Sequence, residues 1–476
     1  MMMRSVFSNI SPLDHRYSIS EQDVFDALVP YLSEDAALRA CAQAEIALVK
    51  AHLSLRKRRT PQLDAALNSS LERFKPEAVY AEEEKTRHSM RALVNVLKTL
   101  VPPEAAPLVH LGATSADILD SALAWRIKEA SSTVVMPLLR RLEALLCDIT
   151  EREAATPQVG RTHGQHAVPI TVGFAFAGYT ARLGKSILEL EQRICALKGK
   201  LSGAVGAYNA TSMITPDPEG LEQAYLAELG LEPSEYSTQL VEPEYLLRLL
   251  LEMTTAFGII ANLADDLRNL QRSEIGELKE GFDDAQVGSS TMPQKRNPWN
   301  SEHVKSLWKA YMPRVTTFFL DQISEHQRDL TNSASQRFVA EYITGFACAA
   351  RRMILIVEGL SFNRERLRAN LAGGSIEGGI LAEPAYILLA ESGVNDAHEV
   401  VRRVTLRAEE QHLSFAQALS EEQEALAAIE QTMRRLNLLS SDECALDFFQ
   451  KPERYQGRAV EKARAMARKY RAKAPK

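Results

Sequence analysis

The sequence predicts an all-α protein organised around a bundle of long helices, and three observations carry that expectation. Apolar residues recur at spacings of three and four over long stretches, the opposite face of each stretch carries charge, and strand-like alternation is nearly absent. In 134–149 the stripe is Val135, Leu138, Leu142, Leu145 and Ile149. In 253–270 it is Met253, Phe257, Ile260, Leu263, Leu267 and Leu270. The segment 304–319 continues the pattern with Val304, Trp308, Tyr311, Val315 and Phe319. Helices that each present one apolar stripe bury it against one another, which is the logic of a bundle.

At 476 residues the chain exceeds the size at which one hydrophobic core keeps growing, so two or three domains are expected. Breakers divide it into 1–111, ending in the proline-rich "VPPEAAP"; 112–363, which holds the longest amphipathic segments; and 364–476, with the "AGGSIEGG" loop and a basic tail. Net charge of −6 argues against a nucleic-acid-binding surface. No apolar run approaches the ~18–20 residues that span a bilayer. The opening "MMMRSVFSNISPLDHRYS" lacks the apolar core of a secretory signal, so the expectation is a cytoplasmic protein that engages neither membrane nor nucleic acid. Cys41, Cys147, Cys195, Cys348 and Cys444 are scattered and odd in number, which suits reduced, packed thiols rather than a disulfide framework or metal site.

The polar residues that break the helical pattern fall in five segments. "TRHSMRALVNVL" carries His88. "HLGATSADILDSA" carries His110, Thr114, Ser115 and Asp117, where Thr114 or Ser115 can cap a helix beginning near Ala116. The amide groups of such a helix start are also an anion site. "GRTHGQHAVPITVGFAF" carries His163 and His166, and on a helix a pair three apart would share a face and invite a metal. Gly and Pro flank it and no acidic or sulfur ligand stands at metal spacing, so proton transfer or substrate hydrogen bonding is the favoured reading, with no metal. "SEHQRDLTNSASQR" carries Arg328, Ser333 and Arg337, which a bend would allow to clamp one phosphate; the bland alternative is a salt-bridged surface. The fifth, "GSSTMPQKRNP" at 288–298, sets Ser289, Ser290, Lys295 and Asn297 in a flexible stretch whose Pro298 starts the next helix, with Glu302 placed to orient a histidine.

Three of these segments, "HLGATSADILDSA", "GRTHGQHAVP" and "GSSTMPQKRNP", resemble in that order the three signature regions of the fumarase/aspartase superfamily. The resemblance implies a three-domain all-helical fold with a long central bundle, a homotetramer with a twenty-helix core, sites where three subunits meet, and an elimination that releases fumarate without a cofactor. Further segments, among them "SPLDHRYS", "EEEKTRHSM", "SGAVGAYNA", "STQLVEPEY", "QRDLTNSASQR" and "ERYQGRAVE", are similar to the branch acting on succinylated purine nucleotides. Other branches share the "GSSxMPQK" loop but have no phosphate to bind. Another fumarate-releasing lyase and a non-catalytic structural homologue remain the alternatives.

Carried over position by position, the resemblance makes Ser289 the base, His163 the acid oriented by Glu302, and His88 an assistant at the phosphate or acid step. It makes His110, Thr114, Ser115, Lys295 and Asn297 ligands of the succinyl carboxylates, and Gln239 a substrate-orienting amide. Arg16, Tyr17, Arg328, Ser333 and Arg337 become nucleotide and phosphate contacts. One departure stands out: Ser89 follows the first histidine where the family often has Asp, so a hydroxyl replaces a charge there.

Overall fold

A computed structural model of the chain describes residues 6–282, 288–377 and 379–473. They form two compact units, one of Met1–Arg140, Lys185–Ile260 and Ser306–Arg352, the other of Arg141–Gly184, Ala261–Lys305 and Met353–Lys476.

In the first unit, α1 (Glu34–Leu55) starts at Ser33, whose hydroxyl accepts the Ala36 N–H at 3.1 Å, and Glu34 and Asp35 complement the helix dipole. Ala40, Ala44, Ala47 and Ala51 are all buried along one face, and small side chains there let neighbouring helices approach closely. α2 (Ser89–Leu100) follows, and then α3 (Ser115–Ala130), which packs on α1. One core joins these helices, with Ile46, Val49, Leu93, Leu97, Ile118 and Tyr225 inside it.

α3 runs through a π-helical turn at Ser131–Val135 directly into α4 (Met136–Arg152). Pro137 has no N–H to give, and the widened turn accommodates that loss. The buried stripe of α4 is Leu139, Leu142, Leu146 and Ile149, so the interior face sits one residue on from the predicted Leu138 and Leu145.

The near absence of strands that the sequence predicts is corrected at 157–171. Pro157–Thr162 (β1) and Gln165–Thr171 (β2) form an antiparallel hairpin, with Arg161 opposite His166 and Thr162 opposite Gln165. The other pairings among the described residues are two residues long. α5 (Val172–Cys195) follows, and then α6 (Glu244–Leu270), whose predicted stripe Met253, Phe257, Ile260, Leu263 and Leu267 is buried. α6 is long and apolar enough to cross a membrane by length and composition, contrary to the sequence reading; 61% of its most apolar window is buried within the structure.

The helix predicted over 304–319 is two: α7 (Trp299–Tyr311) and α8 (Arg314–Leu320), broken where Pro313 withholds an N–H. Phe319 is consequently exposed rather than part of a stripe. α9 (Val339–Glu358) follows. In the second unit α10 (Arg364–Glu377), α11 (Ala382–Glu391) and α12 (Ala397–Gln411) build a core into which the hairpin inserts Val159, beside Leu371, Leu389 and Val404.

Candidate active site

The loop before α3 holds His110 at φ 63° and Gly112 at φ 79°, both left-handed. Glu45, wholly buried on α1, accepts the His110 backbone N–H at 2.9 Å and faces the ring Nδ1 at 2.6 Å. His52, two turns further along α1, has its Nε2 2.8 Å from the Leu111 carbonyl, and burial lowers its pKa. Thr114 caps α3, with its N–H donating to Asp117 at 2.8 Å.

Asp117 also pairs with the fully buried Lys200, whose ammonium donates onward to the Gly203 carbonyl at 3.1 Å. That ion pair lashes the loop after Lys200 to the start of α3. Glu222 secures the same loop, accepting the Leu201 N–H and the Tyr208 hydroxyl, both at 2.6 Å. At Gly206, φ 81°, a Cβ would overlap the Ser237 carbonyl oxygen, so only glycine lets this loop lie against the segment leading to Gln239. The Gln239 N–H bonds the Gln327 carbonyl at 3.2 Å, one residue before Arg328. Thr114, Ser115, Gln239 and Arg328 therefore stand on one hydrogen-bonded chain of loops.

Arg328, at φ 93°, turns its guanidinium onto the Asp321 and Gln322 carbonyls at 3.1 and 3.3 Å. It borders a cleft walled by Leu123, Ile127 and Leu247 and lined also by Asp120. Burial pushes the Asp120 carboxyl up to about 6, although it accepts the Val241 N–H at 2.9 Å. Ser333 and Arg337 face solvent, as does Arg16, while burial raises the half-buried Tyr17 phenol against the pull of Arg352. His88 is the N-cap of α2: its Nδ1 accepts the Arg91 N–H at 3.2 Å, leaving Nε2 outward.

In the second unit His163 and Gly164 are the two-residue turn of the hairpin, at φ 55° and 76°. Two successive left-handed residues give the twist such a tight turn needs. His163 and His166 thus ride on a projecting ribbon, both exposed, and not on a helix face. Buried Glu277 anchors that ribbon, accepting from Arg161 at 2.6 Å, Gln158 at 2.7 Å and Asn370 at 2.9 Å. Among the described residues no group of three His, Cys, Asp or Glu is placed to hold a metal.

The 288–298 loop folds on itself. Asn297 donates to the Gly288 carbonyl at 3.0 Å, and a Cβ on Gly288 would collide with the Lys295 carbonyl. The Ser289 hydroxyl oxygen accepts backbone N–H groups from Thr291 at 3.4 Å and Met292 at 3.1 Å. Lys295 is exposed. Glu280 braces the start of α7 through the Ser301 N–H at 2.9 Å, and Glu302 projects outward one residue later. Within this chain His163 and Glu302 make no hydrogen bond to each other among the described residues.

Residues 3–309 match the Lyase family and residues 324–442 the Adenylosuccinate lyase C-terminal family. The adenylosuccinate lyase of Pyrococcus horikoshii is 34% identical over 462 residues, spanning 95% of this chain and 96% of its own. The chain belongs to the adenylosuccinate lyase family. Its relative from Archaeoglobus fulgidus is 31% identical over 96% of this chain and 98% of its own. Among solved structures, a 3-carboxy-cis,cis-muconate lactonizing enzyme from Pseudomonas putida superposes with a TM-score of 0.77 at 25% identity, over 94% of this chain and 97% of that one. A fumarate lyase from Mesorhizobium sp. BNC1 also reaches 0.77, at 21% identity over 93% and 97%. The all-α, fumarase-type fold expected from the sequence is therefore the fold of this family member.

Sequence reasoning missed Glu45, Lys200 and Glu277 in this family member. Each sits without a motif in an unpromising stretch: "AQAEIALVK", "KGKLSGAVG" and "RSEIGELKE". For Glu45 and Lys200 a charge that interrupts apolar or glycine-rich sequence is the one signal offered, and Glu277, among other charges, offered none.

Proposed function

We propose that the chain is a carbon–nitrogen lyase that eliminates fumarate from adenylosuccinate to give AMP, and from the succinylated aminoimidazole carboxamide ribonucleotide of purine biosynthesis. The observation that carries this reading is the match of 324–442 to the adenylosuccinate lyase C-terminal family, because it separates this chain from other fumarate-releasing lyases. Similarity to curated adenylosuccinate lyases over 95% of the chain supports it.

In this reading Ser289 removes a proton from the carbon beside one succinyl carboxylate. The electrons left behind form the new C=C bond as the C–N bond one carbon away breaks, and His163 protonates the departing nitrogen. Serine is a poor base unless its alkoxide is stabilised. The Thr291 and Met292 N–H groups already point at its oxygen. Lys295 and the start of α3 at Thr114 and Ser115 offset the charge that builds on the carboxylate. Asn297 joins them by exchanging the Gly288 carbonyl for substrate as the loop closes. Glu302 orients His163, and His110 and Gln239 orient the succinyl group and the substrate. His88, Arg16, Tyr17, Arg328, Ser333 and Arg337 take the nucleotide. Copies of the chain share these sites in a homotetramer, which suits how many of these groups are exposed in a single chain.

The test is direct. Purified protein is mixed with adenylosuccinate and fumarate release is followed; intact adenylosuccinate beside rapid cleavage of argininosuccinate overturns the assignment. Ser289→Ala should bind substrate yet lose turnover by several orders of magnitude, and near-normal turnover refutes the base assignment.

A further inference from the structure

We infer that Glu45 is a positioning residue for the proposed reaction: it fixes the His110 ring so that Nδ1 faces the protein interior and Nε2 is the atom offered to the substrate's succinyl carboxylate. The inference rests on the functional reading above, and it adds a residue which that reading does not contain.

Glu45 lies on α1 among Ala42, Ala44, Ile46, Ala47 and Leu48, all buried, and is itself fully buried. An acid in such surroundings is unfavourable unless both oxygens find donors. Both do, and both donors belong to one residue. Oε2 accepts the His110 backbone N–H at 2.9 Å, and Oε1 faces His110 Nδ1 at 2.6 Å. A carboxylate can only accept, so Nδ1 carries the hydrogen and the ring plane is set. Nε2 then lies on the far side of the ring, whose side chain keeps 23% of its surface open.

A purely structural role would need less than this. Fastening the left-handed His110 backbone requires one oxygen, not two. The loop also has an independent anchor in His52, which is seven residues after Glu45 and hence on the same α1 face. His52 Nδ1 is met by the Arg56 guanidinium at 3.1 Å, so its Nε2 is the nitrogen that donates to the Leu111 carbonyl. The backbone is held at 110 and at 111, and the bond to the ring is additional. Four residues on, Thr114 caps α3, so the loop that carries the ring leads into the helix start proposed to receive the same carboxylate.

Glu45→Gln changes this one feature. An amide still accepts the backbone N–H through its oxygen, but it turns an NH₂ towards Nδ1 and so forces the opposite tautomer. The expected result is a rise of about tenfold or more in the KM for adenylosuccinate and in the inhibition constant for fumarate, the scale of one lost hydrogen bond to a charged group. The inhibition constant for AMP should stay within about twofold, because the nucleotide half of the substrate lies elsewhere. In a His110→Ala background the further change to Gln at position 45 should add less than about twofold, since its effect passes through the ring. Unchanged constants for adenylosuccinate and fumarate in Glu45→Gln overturn the inference. So does an equal loss for AMP, or a full additional loss in the His110→Ala background. Should Glu45→Gln not fold, Glu45→Asp, which keeps the charge but withdraws it by one methylene, is read by the same comparison with the same outcomes. Failure of the functional reading is distinct: the unaltered protein would then leave adenylosuccinate intact.

Discussion

Glu143 offers the sharpest quantitative test of the fold. It lies on α4, only 6% exposed, with Oε1 3.9 Å from the Cys147 thiol and Oε2 without a hydrogen-bond partner among the described residues. Burial pushes its carboxyl up to about 8, from an ordinary 4.5. The folded value is the higher one, so the fold favours the neutral acid. Stability from this group is fully present below about pH 4.5 and is lost as pH rises towards 8. A tenfold change in the protonation equilibrium corresponds to about 1.4 kcal/mol, so at pH 7 keeping the group protonated lowers stability by roughly 3 kcal/mol.

Glu143→Gln keeps the shape and cannot ionise. The variant should therefore gain on the unaltered protein as pH rises, by about 3 to 4 kcal/mol between pH 5 and pH 8 as a ceiling. Urea unfolding followed by far-ultraviolet circular dichroism at pH 5, 6, 7 and 8, at one protein concentration, reads this as diverging midpoints. Midpoints that run parallel across that range refute the reasoning, because they mean the carboxyl is hydrated or paired.

Three further changes probe the supports of the site. Lys200→Met leaves Asp117 buried without its cation and should lower stability by about 3–5 kcal/mol, read as a lower urea midpoint; a midpoint within error of the unaltered protein would show that Asp117 needs no counter-charge. Gly164→Ala meets no neighbour within 4 Å, yet it places a side chain at φ 76°, so a loss of about 1 kcal/mol in thermal melting should accompany a fall in kcat as His163 is displaced. Gly345→Ala drives a Cβ into the Tyr311 ring, and overpacking of that kind should destabilise by about 1–3 kcal/mol in melting while KM stays unchanged.

The helices were legible because burial repeats every three to four residues, and in α6 each residue from Met253 to Leu267 assigned to the interior lies there. The failures have local causes. At Pro313 the apolar spacing continues through a residue that cannot donate, so periodicity outran the backbone. At 157–171 the alternation is masked because the hairpin buries Val159 and Pro169 but leaves its tip in solvent, and the decisive signal was the glycine after His163, which permits the tight turn. The polar residues of the 288–298 loop were readable as a group, whereas the donors to Ser289 were not. Which backbone amides meet an oxygen depends on how a loop folds, and a sequence motif does not encode it directly.

A common physical pattern joins the residues that anchor the site. Glu45 stands behind His110, Asp117 and Lys200 behind Thr114 and Ser115, Glu277 behind the hairpin that carries His163, and Glu280 behind the helix start that carries Glu302. In each case a charge inside the protein accepts from, or donates to, the segment that presents an outward group. Loops and turns that carry reactive side chains cannot be held by apolar packing alone, since their polar backbone must be satisfied and their tips must face solvent. A charged group supplies stronger bonds per contact than a neutral one, and burial strengthens those bonds while penalising any alternative loop geometry that leaves the charge unpaired. The outward residues can be found by motif. Their anchors are recognised only once the fold brings together positions such as 117 and 200, or 161 and 277, and this is why the residues proposed for the chemistry could be named from the sequence while their anchors could not.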